Sequence, residues 1–474
     1  MNATFDPANR ETLDTLQRAL ELVEGFALYF VRNNLPAQSG ALLARLAEML
    51  GPERVVFRVD LDEGASVIRR LLTESVRVAP GGSLHVFGLE RQMPGGAAHP
   101  PVLQQLNLAR EHFRRLPCPV VFWLRDEALT RLARGAPDFW AWRSGVFEFV
   151  PEPDWVNAES LQHVGQGTLA WRDLPAQEKS TRILALEGLL EDYKLLEQDG
   201  ATYRASAEIA LELGRLYLVA YRVDEAAQVL DSALHLFRAV GDRLGEANVL
   251  KAIGDVQQFR DERDAALDSY AQALTLFRAV GARLGEANVL QAIGDVQQFR
   301  KETDAALDSY AQALTLFRAV GDRLGEANVL KAIGDVQQFR DERDAALDSY
   351  AQALTLFRAV GARLGEANVL LALGDLHRSE GTLDVSQQEL QTAFEIYRTT
   401  GDRYSQGRAL YRLGDCSIAL HEPDVAVEFY RKAIEIWQLI NLADLAKDIV
   451  APRLQEALSQ QGGGLENKGK ESKD

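Results

Sequence analysis

Residues 241–280 and 321–360 are the same 40-residue string, GDRLGEANVLKAIGDVQQFRDERDAALDSYAQALTLFRAV. The copy between them, 281–320, differs at four places: Ala282 stands for Asp242, Gln291 for Lys251, Lys301 for Asp261 and Thr303 for Arg263. A fixed period of this length is the mark of a solenoid, in which each copy packs only on its neighbours. Within a copy, ANVLKAIGDVQQF and ERDAALDSYAQALTLFRAV both carry apolar residues at helical spacing, with a polar break at Arg260–Asp261. Each copy therefore reads as helix-turn-helix. Solenoids present long surfaces to other molecules, so the class of half the chain is set before any active site is sought.

Small residues fall where two antiparallel helices must approach closely. In the copy at 241–280 they are Gly254 in the first (A) helix, with Leu250 and Ile253 before it, then Ala266 and Ala273 in the second (B) helix beside Tyr270. This pattern resembles the tetratricopeptide repeat (TPR). The frame recurs as Gly214/Ala226/Ala233, Gly294/Ala306/Ala313, Gly334/Ala346/Ala353, Gly374/Ala393 and Gly414/Ala426/Ala433. Six units follow: 201–240, 241–280, 281–320, 321–360, 361–400 and 401–440. The resemblance implies an all-α superhelical array. The usual aromatic three residues after the glycine is replaced by Gln257, Gln297 and Gln337, while Tyr217 keeps it in the first unit. Ser386 and Leu390 replace the alanine and tyrosine in the fifth, which predicts less regular packing there. The additional residues around AVGDRLGE are expected to lengthen the helices and the turn between units. A lead-in helix (175–200) and a capping helix (441–462) close the array, and 463–474 reads as a disordered, Gly- and charge-rich tail. Asp242, Ala282, Asp322 and Ala362 alternate, as an 80-residue duplication would leave them.

In TPR arrays the A helices line a concave groove, and the resemblance carries that role to the positions one turn apart on the non-core side. These are Asn248, Lys251, Asp255 and Gln258, then Asn288, Gln291, Asp295 and Gln298. The next two units supply Asn328, Lys331, Asp335 and Gln338, and Asn368, Leu371, Asp375 and Arg378. An asparagine ladder suits the backbone of an extended peptide, since an amide offers both a donor and an acceptor. The competing reading is an ordinary solvated helix face.

The repeats do not reach the first 150 residues. There, short apolar runs (Phe26–Val31, Val55–Leu61, Leu84–Leu89, Val120–Leu124, Val146–Val150) alternate with helical segments such as PAQSGALLARLAEML and PVLQQLNLAREHFRRL. Such alternation predicts a parallel α/β sheet covered on both faces. A linker, 151–174, containing Trp155 and Trp171, joins it to the array. The element order ahead of TPRs resembles the P-loop NTPase core of STAND signalling proteins, in degenerate form. RNNLPAQSG stands where a phosphate loop would be, no Lys precedes Lys179, and Phe87 takes the place of the metal-binding acid, leaving Glu90 nearby. Nucleotide triphosphate chemistry needs a Gly-rich amide cradle, a Lys and a metal ligand, so the resemblance implies an inactive domain that docks or oligomerises. The stretch Asp138-Phe139-Trp140-Ala141-Trp142-Arg143 reads as a core plug between sheet and linker.

Charge narrows the partners. Residues 1–150 carry 17 Arg, no Lys and 17 Asp plus Glu, so the whole net charge of −17 lies on the remainder. A neutral head and an acidic array disfavour nucleic acid and anionic membrane, which require basic surface. Cys118 and Cys416 are far apart, without metal-ligand or disulfide spacing, as expected of free thiols in a reducing compartment. The acidic start MNATFDPANRETLD is no signal peptide, and no uncharged run approaches the ~18–20 residues of a membrane span. A cytoplasmic location follows, and the seven His show no ligand spacing, so no cofactor or metal site is expected. The sequence thus predicts a non-enzymatic scaffold or sensor that binds a protein or peptide. The resemblance places it in bacterial signalling or defence, beside a separately encoded effector. Two alternatives stand against it: a divergent NTPase relying on Arg32, Arg125 and Glu90, and a homo-oligomeric structural protein built by stacking of the repeats.

Overall fold

Five apolar runs too short for helices pair into one parallel sheet in the first part of the chain. The computed structural model describes residues 5–62, 64, 66–93, 100–163, 176–440 and 442–468. It divides into two compact parts, Met1–Ser269 and Tyr270–Asp474. In the first part the strands are β1 (Leu28–Arg32), β2 (Val56–Asp60), β3 (Ser83–Phe87), β4 (Val120–Leu124) and β5 (Gly145–Glu148). Their order is β2-β3-β4-β1-β5. Of the inner strands, β4 is buried throughout and β1 and β3 at four of five positions each, because both their faces are covered, whereas the edge strands β2 and β5 bury one position each.

Handedness fixes where the helices lie. The β1→β2 crossover runs along the sheet in one direction and the later crossovers run in the other. A right-handed connection then puts α2 (Pro36–Leu50) on one face, and α3 (Val67–Ser75), α4 (Pro101–Phe113) and α5 (Asp126–Gly135) on the opposite one. The two cores agree. Tyr29, Val31, Val121 and Trp123 pack with α1 (Pro7–Leu22) and α2. Leu28, Phe30, Val120 and Phe122 pack with α3 to α5. At the carboxyl ends of the neighbouring strands β1 and β4 the chain turns to opposite faces, which is the switch point of such sheets.

The aromatic stretch at 138–143 joins the sheet core directly. Phe139, on the short helix α6 (Pro137–Ala141), is fully buried, and Trp140 lies 4.9 Å, centroid to centroid, from Phe30. The linker is more ordered than its prolines suggest: it contains α7 (Pro153–His163), whose Val156 is fully buried. Trp171 and residues 164–175 lie outside the described residues. Helix α8 (Ala176–Leu195) follows. The first repeat pairs helix A, Gly200–Val219, with helix B, Val223–Ala239, and helix A of the second repeat is Arg243–Phe259.

In the second part, repeats three to six pair Arg283–Phe299 with Thr303–Val320 and Arg323–Phe339 with Arg343–Val360. They continue with Arg363–Ser379 and Leu383–Thr400, then Arg403–Ala419 and Pro423–Leu439. Two glycines per repeat set the spacing. A Cβ on Gly334 would lie 2.6 Å from Tyr350 Cε1 of the same repeat, and one on Gly325 would lie 2.4 Å from Phe317 Cδ1 of the preceding repeat. The longer junction GDRLGE therefore seats the start of each A helix against the previous B helix, beyond lengthening the turn. Gly321 takes φ +73°, where a side chain is strained, and ends its B helix. Asp322 then caps the next helix, accepting from Gly325 N at 3.0 Å, whereas Ala282 and Ala362 offer no such cap.

Repeat five keeps this geometry despite its altered pair. Gly374 faces Leu390, and the fully buried Ser386 donates to Gly374 O at 2.7 Å, so the hydroxyl is satisfied. The final helix corrects the expectation of a tail from residue 463, since it runs from Ala451 to Lys468 through Gly462–Gly464. Extending an existing helix costs far less than starting one, which offsets about 1 kcal/mol per glycine. Residues 469–474 lie outside the described residues.

Candidate functional site

Helices A of repeats three to six pack in sequence, 283–299 on 323–339, then on 363–379 and 403–419. Their shared face carries the polar positions singled out by the repeat period, and it encloses two adjoining cavities. One, of about 250 Å³, is lined by Gln291, Asp295, Gln298, Asn328, Lys331 and Asp335, with Asn368 at its edge. The other, of about 240 Å³, is lined by Lys331, Asp335, Gln338, Asn368, Leu371 and Asp375, with Arg408 and Arg412 closing it.

The side chains on this face divide into committed and uncommitted groups. Tyr310 Oη donates to Asp295 Oδ1 at 2.7 Å with Gln298 Oε1 at 2.9 Å, and Tyr350 repeats this with Asp335 and Gln338 at 2.8 and 2.9 Å. Each tyrosine sits in its repeat core, so burial and the adjacent carboxylate push its hydroxyl pKa far up and keep the proton on the donor. The aspartates thus anchor the A helix to the B helix before they serve any ligand. Lys331 adds a second contact to Asp335 at 2.5 Å, and Arg412 reaches across from the next repeat to Asp375 at 2.5 Å. Asn368 accepts from Tyr397 Oη at 2.7 Å, and Asn288 donates to Leu284 O of its own helix at 2.9 Å. Neither asparagine is free in the way a uniform ladder requires.

Leu371 lines the second cavity without being open to solvent. It is 2% exposed, packed with Leu390, Tyr397 and Cys416, and so belongs to the floor of the groove. A leucine has no polar group to present, and the space between repeats five and six draws it inward. Arg378 lies outside both cavities, its Nε buried without a partner among the described residues. In the first part of the chain, Lys251 pairs with Asp255 at 2.7 Å, as Lys331 does with Asp335. Asn248 and Gln258 share that helix. Arg408 and Arg412 were missed by stopping at repeat five; one further step of 40 from Asn368 gives Arg408.

The head shows what replaces a phosphate loop. In RNNLPAQSG, Asn33 Oδ1 accepts from Leu35 N at 2.8 Å, Asn34 Oδ1 accepts from Asp126 N at 2.9 Å, and Asn34 Nδ2 donates to Asp192 Oδ1 at 2.8 Å. Side-chain bonds thus hold the loop. Pro36 at the start of α2 lacks the amide a phosphate would need there. Phe87 stacks on Trp123 at 5.4 Å and lies under the Arg58 guanidinium at 4.4 Å. Of the residues proposed for a divergent NTPase, Arg32 is taken by Asp126 at 2.5 Å, while Arg125 and Glu90 face a common cavity. His85 is fully buried and neutral, its pKa lowered to about 3 by desolvation; Trp123 Nε1 donates to its Nδ1. Cys118 and Cys416 are both free and buried. Among the described residues no group of His, Cys, Asp and Glu is placed to hold a metal, and no helix is long and apolar enough to cross a membrane.

The tetratricopeptide repeat family model matches residues 281–359 and 365–438, so this segment is built of such repeats. No curated protein matches the chain. Solved structures match it at low identity. The apo form of RapI is 15% identical, covering 60% of this chain and 99% of that one with a TM-score of 0.47. A Rap protein complexed with competence and sporulation factor is 16% identical over 65% of this chain and 87% of that one, with a TM-score of 0.46. PilF of Pseudomonas aeruginosa is 19% identical over 56% and 100%, with a TM-score of 0.40.

Proposed function

We propose that the chain is a non-enzymatic interaction scaffold whose repeats take up an extended segment of another protein along the shared face of the A helices. Proteins built of tetratricopeptide repeats are in general interaction modules rather than catalysts. The observation that carries the reading is the pair of adjoining cavities in repeats three to six, walled by amide and charged side chains. Asn328 lies between its structurally committed neighbours without a side-chain hydrogen bond of its own among the described residues, and it lines the first cavity beside Gln291. An amide so placed offers both a donor and an acceptor to a passing peptide backbone. The head serves in this reading as a docking platform. Support for an inactive P-loop-like origin is its element order, the Asn-held loop and Phe87 in place of an acid. Bacterial signalling or defence, with a separately encoded effector, is the setting implied by the head's resemblance to STAND proteins.

The test is selection of displayed random peptides on the full chain, followed by affinity measurement on Gln291→Ala/Asn328→Ala, a variant that removes no structural bond described above. Selected peptides are expected to lose at least tenfold in affinity. Peptides that bind parent and variant alike would place recognition elsewhere and defeat the reading.

A further inference from the structure

A cavity of about 860 Å³ lies in the first part of the chain, over the carboxyl edge of the sheet. That is within the ~300–1,000 Å³ of ordinary small-molecule sites, and it is the edge at which open α/β sheets bind ligands. Its floor comes from the ends of β2, β3 and β4, and its roof from α8 and the first repeat. None of the groove residues above takes part in it.

Pairing off the charged groups that line it leaves a specific remainder. Arg58 is forked onto Asp60, with contacts of 2.9 and 2.8 Å, and Arg131 donates to Met93 O and lies 3.8 Å from Glu127. Asp126 is held by Arg32, Glu187 accepts from Tyr217, Glu191 pairs with Lys194 at 2.6 Å, and Glu225 pairs with Arg222 at 3.1 Å. Neither Arg91 nor Arg125 forms an ion pair among the described residues; both act electrostatically on Glu90. Among the described residues Glu90 Oε2 is buried without a hydrogen-bond partner, and desolvation raises its pKa while the fields of Arg125 and Arg91 act to lower it. Two cationic forks therefore stand beside a buried, unsatisfied carboxyl. Phe87, Met93, Leu184, Leu213 and Val229 give the wall an apolar part, beside polar residues such as Thr181 and Gln228.

We infer that this cavity binds a small amphipathic organic anion, its carboxylate or phosphate head held by Arg91 and Arg125 and its apolar body set between Met93 and the roof residues Leu184, Leu213 and Val229. The guanidinium fork suits both head groups. A ligand in this place touches both the sheet and the first repeat, so its binding stabilises their contact.

The probe is 8-anilinonaphthalene-1-sulfonate, an aromatic body with one anionic head, titrated into the full chain and followed by fluorescence. Saturable one-to-one binding is expected, weakened at least tenfold in Arg91→Gln/Arg125→Gln and in Val229→Trp, which fills the apolar side. The variant Phe299→Ser/Phe339→Ser, which removes two rings that are 67% and 65% exposed, is expected to bind as the parent does. Competition by octanoate and by octyl phosphate separates the two head groups. The inference is overturned if the dye does not bind, if the arginine and Val229 variants bind it unchanged, or if the Phe variant alone loses it. Displacement by ATP but by neither octyl anion also overturns it, because the site would then be one for nucleotide.

Discussion

The head and the repeats bury similar side chains through different connectivity. In the head, Phe30 meets Phe122 at 5.7 Å and Phe139 at 6.2 Å, rings from three segments of the chain. In the repeats, Tyr350 meets Gly334 and Phe317 meets Gly325, contacts between positions close in sequence and copied from one repeat to the next. A non-local core fails as a unit, whereas a stack of local contacts fails where it is struck and at its nearest neighbours. The same contrast governs evolution of the surface: a copied repeat can change at Gln291 or Lys331 without disturbing Tyr310 or Tyr350.

The largest expected effect tests that contrast directly. Phe122→Ala is expected to remove about 3–5 kcal/mol from the head. In urea denaturation the signal of its buried tryptophan Trp123 is lost early, while far-UV helicity of the repeats persists. Simultaneous loss of both signals would show that the distinction is false. Gly334→Leu sharpens it from the other side. It overpacks against Tyr350 at a cost of roughly 1–3 kcal/mol, and hydrogen exchange is expected to quicken in repeats three to five and not in the sheet. A variant that exchanges like its parent would mean the A–B pairing is wrong.

The contact between the Asn34 loop and α8 gives a pH-dependent prediction. Burial raises the Asp192 pKa to about 6, against a lowering hydrogen bond from Asn34 and the weaker fields of Arg125 and Arg32, with Asp126 opposing. An acid with a raised folded pKa binds more protons folded than unfolded between its ordinary value, 3.8, and about 6. Stability therefore falls as pH rises through that window. Asp192→Asn is expected to raise the stability of the first part by about 1–2 kcal/mol at pH 7.5 and to change it little at pH 4, measured by paired thermal melts. A gain that is the same at both pH values would contradict the assigned cause. The smallest effect is expected from Ala362→Asp, which restores the cap present at Asp322 and adds about 1 kcal/mol. Because the benefit is local, it appears in the melting of repeats four and five.

How much of this was legible in the sequence follows from the same contrast. The repeat hairpins could be read from the period because their contacts recur at fixed offsets: Gly334 to Tyr350, Ala346 to the facing A helix. The five strands could be read as buried runs, yet their order could not, since nothing local states that β1 lies between β4 and β5. The groove face rests on the repeat resemblance together with helical spacing, and spacing does not show where a side chain's bonds go. It marked Asp335 and Gln338 without revealing that Tyr350 occupies them, and it marked Leu371 without the inter-repeat space that buries it. The cavity over the sheet was illegible for a further reason. Its walls come from segments as far apart as Asp60 and Val229, and only folding brings Arg91, Arg125 and Glu90 to one place.

The central claim is that the A-helix face of repeats three to six receives a partner chain. The most direct measurement is photo-crosslinking in host lysate from benzoylphenylalanine placed at position 328, in the first groove cavity, or at position 348, exposed on helix B. The account predicts a discrete protein adduct from 328 and none from 348. An adduct from 348 alone would contradict it.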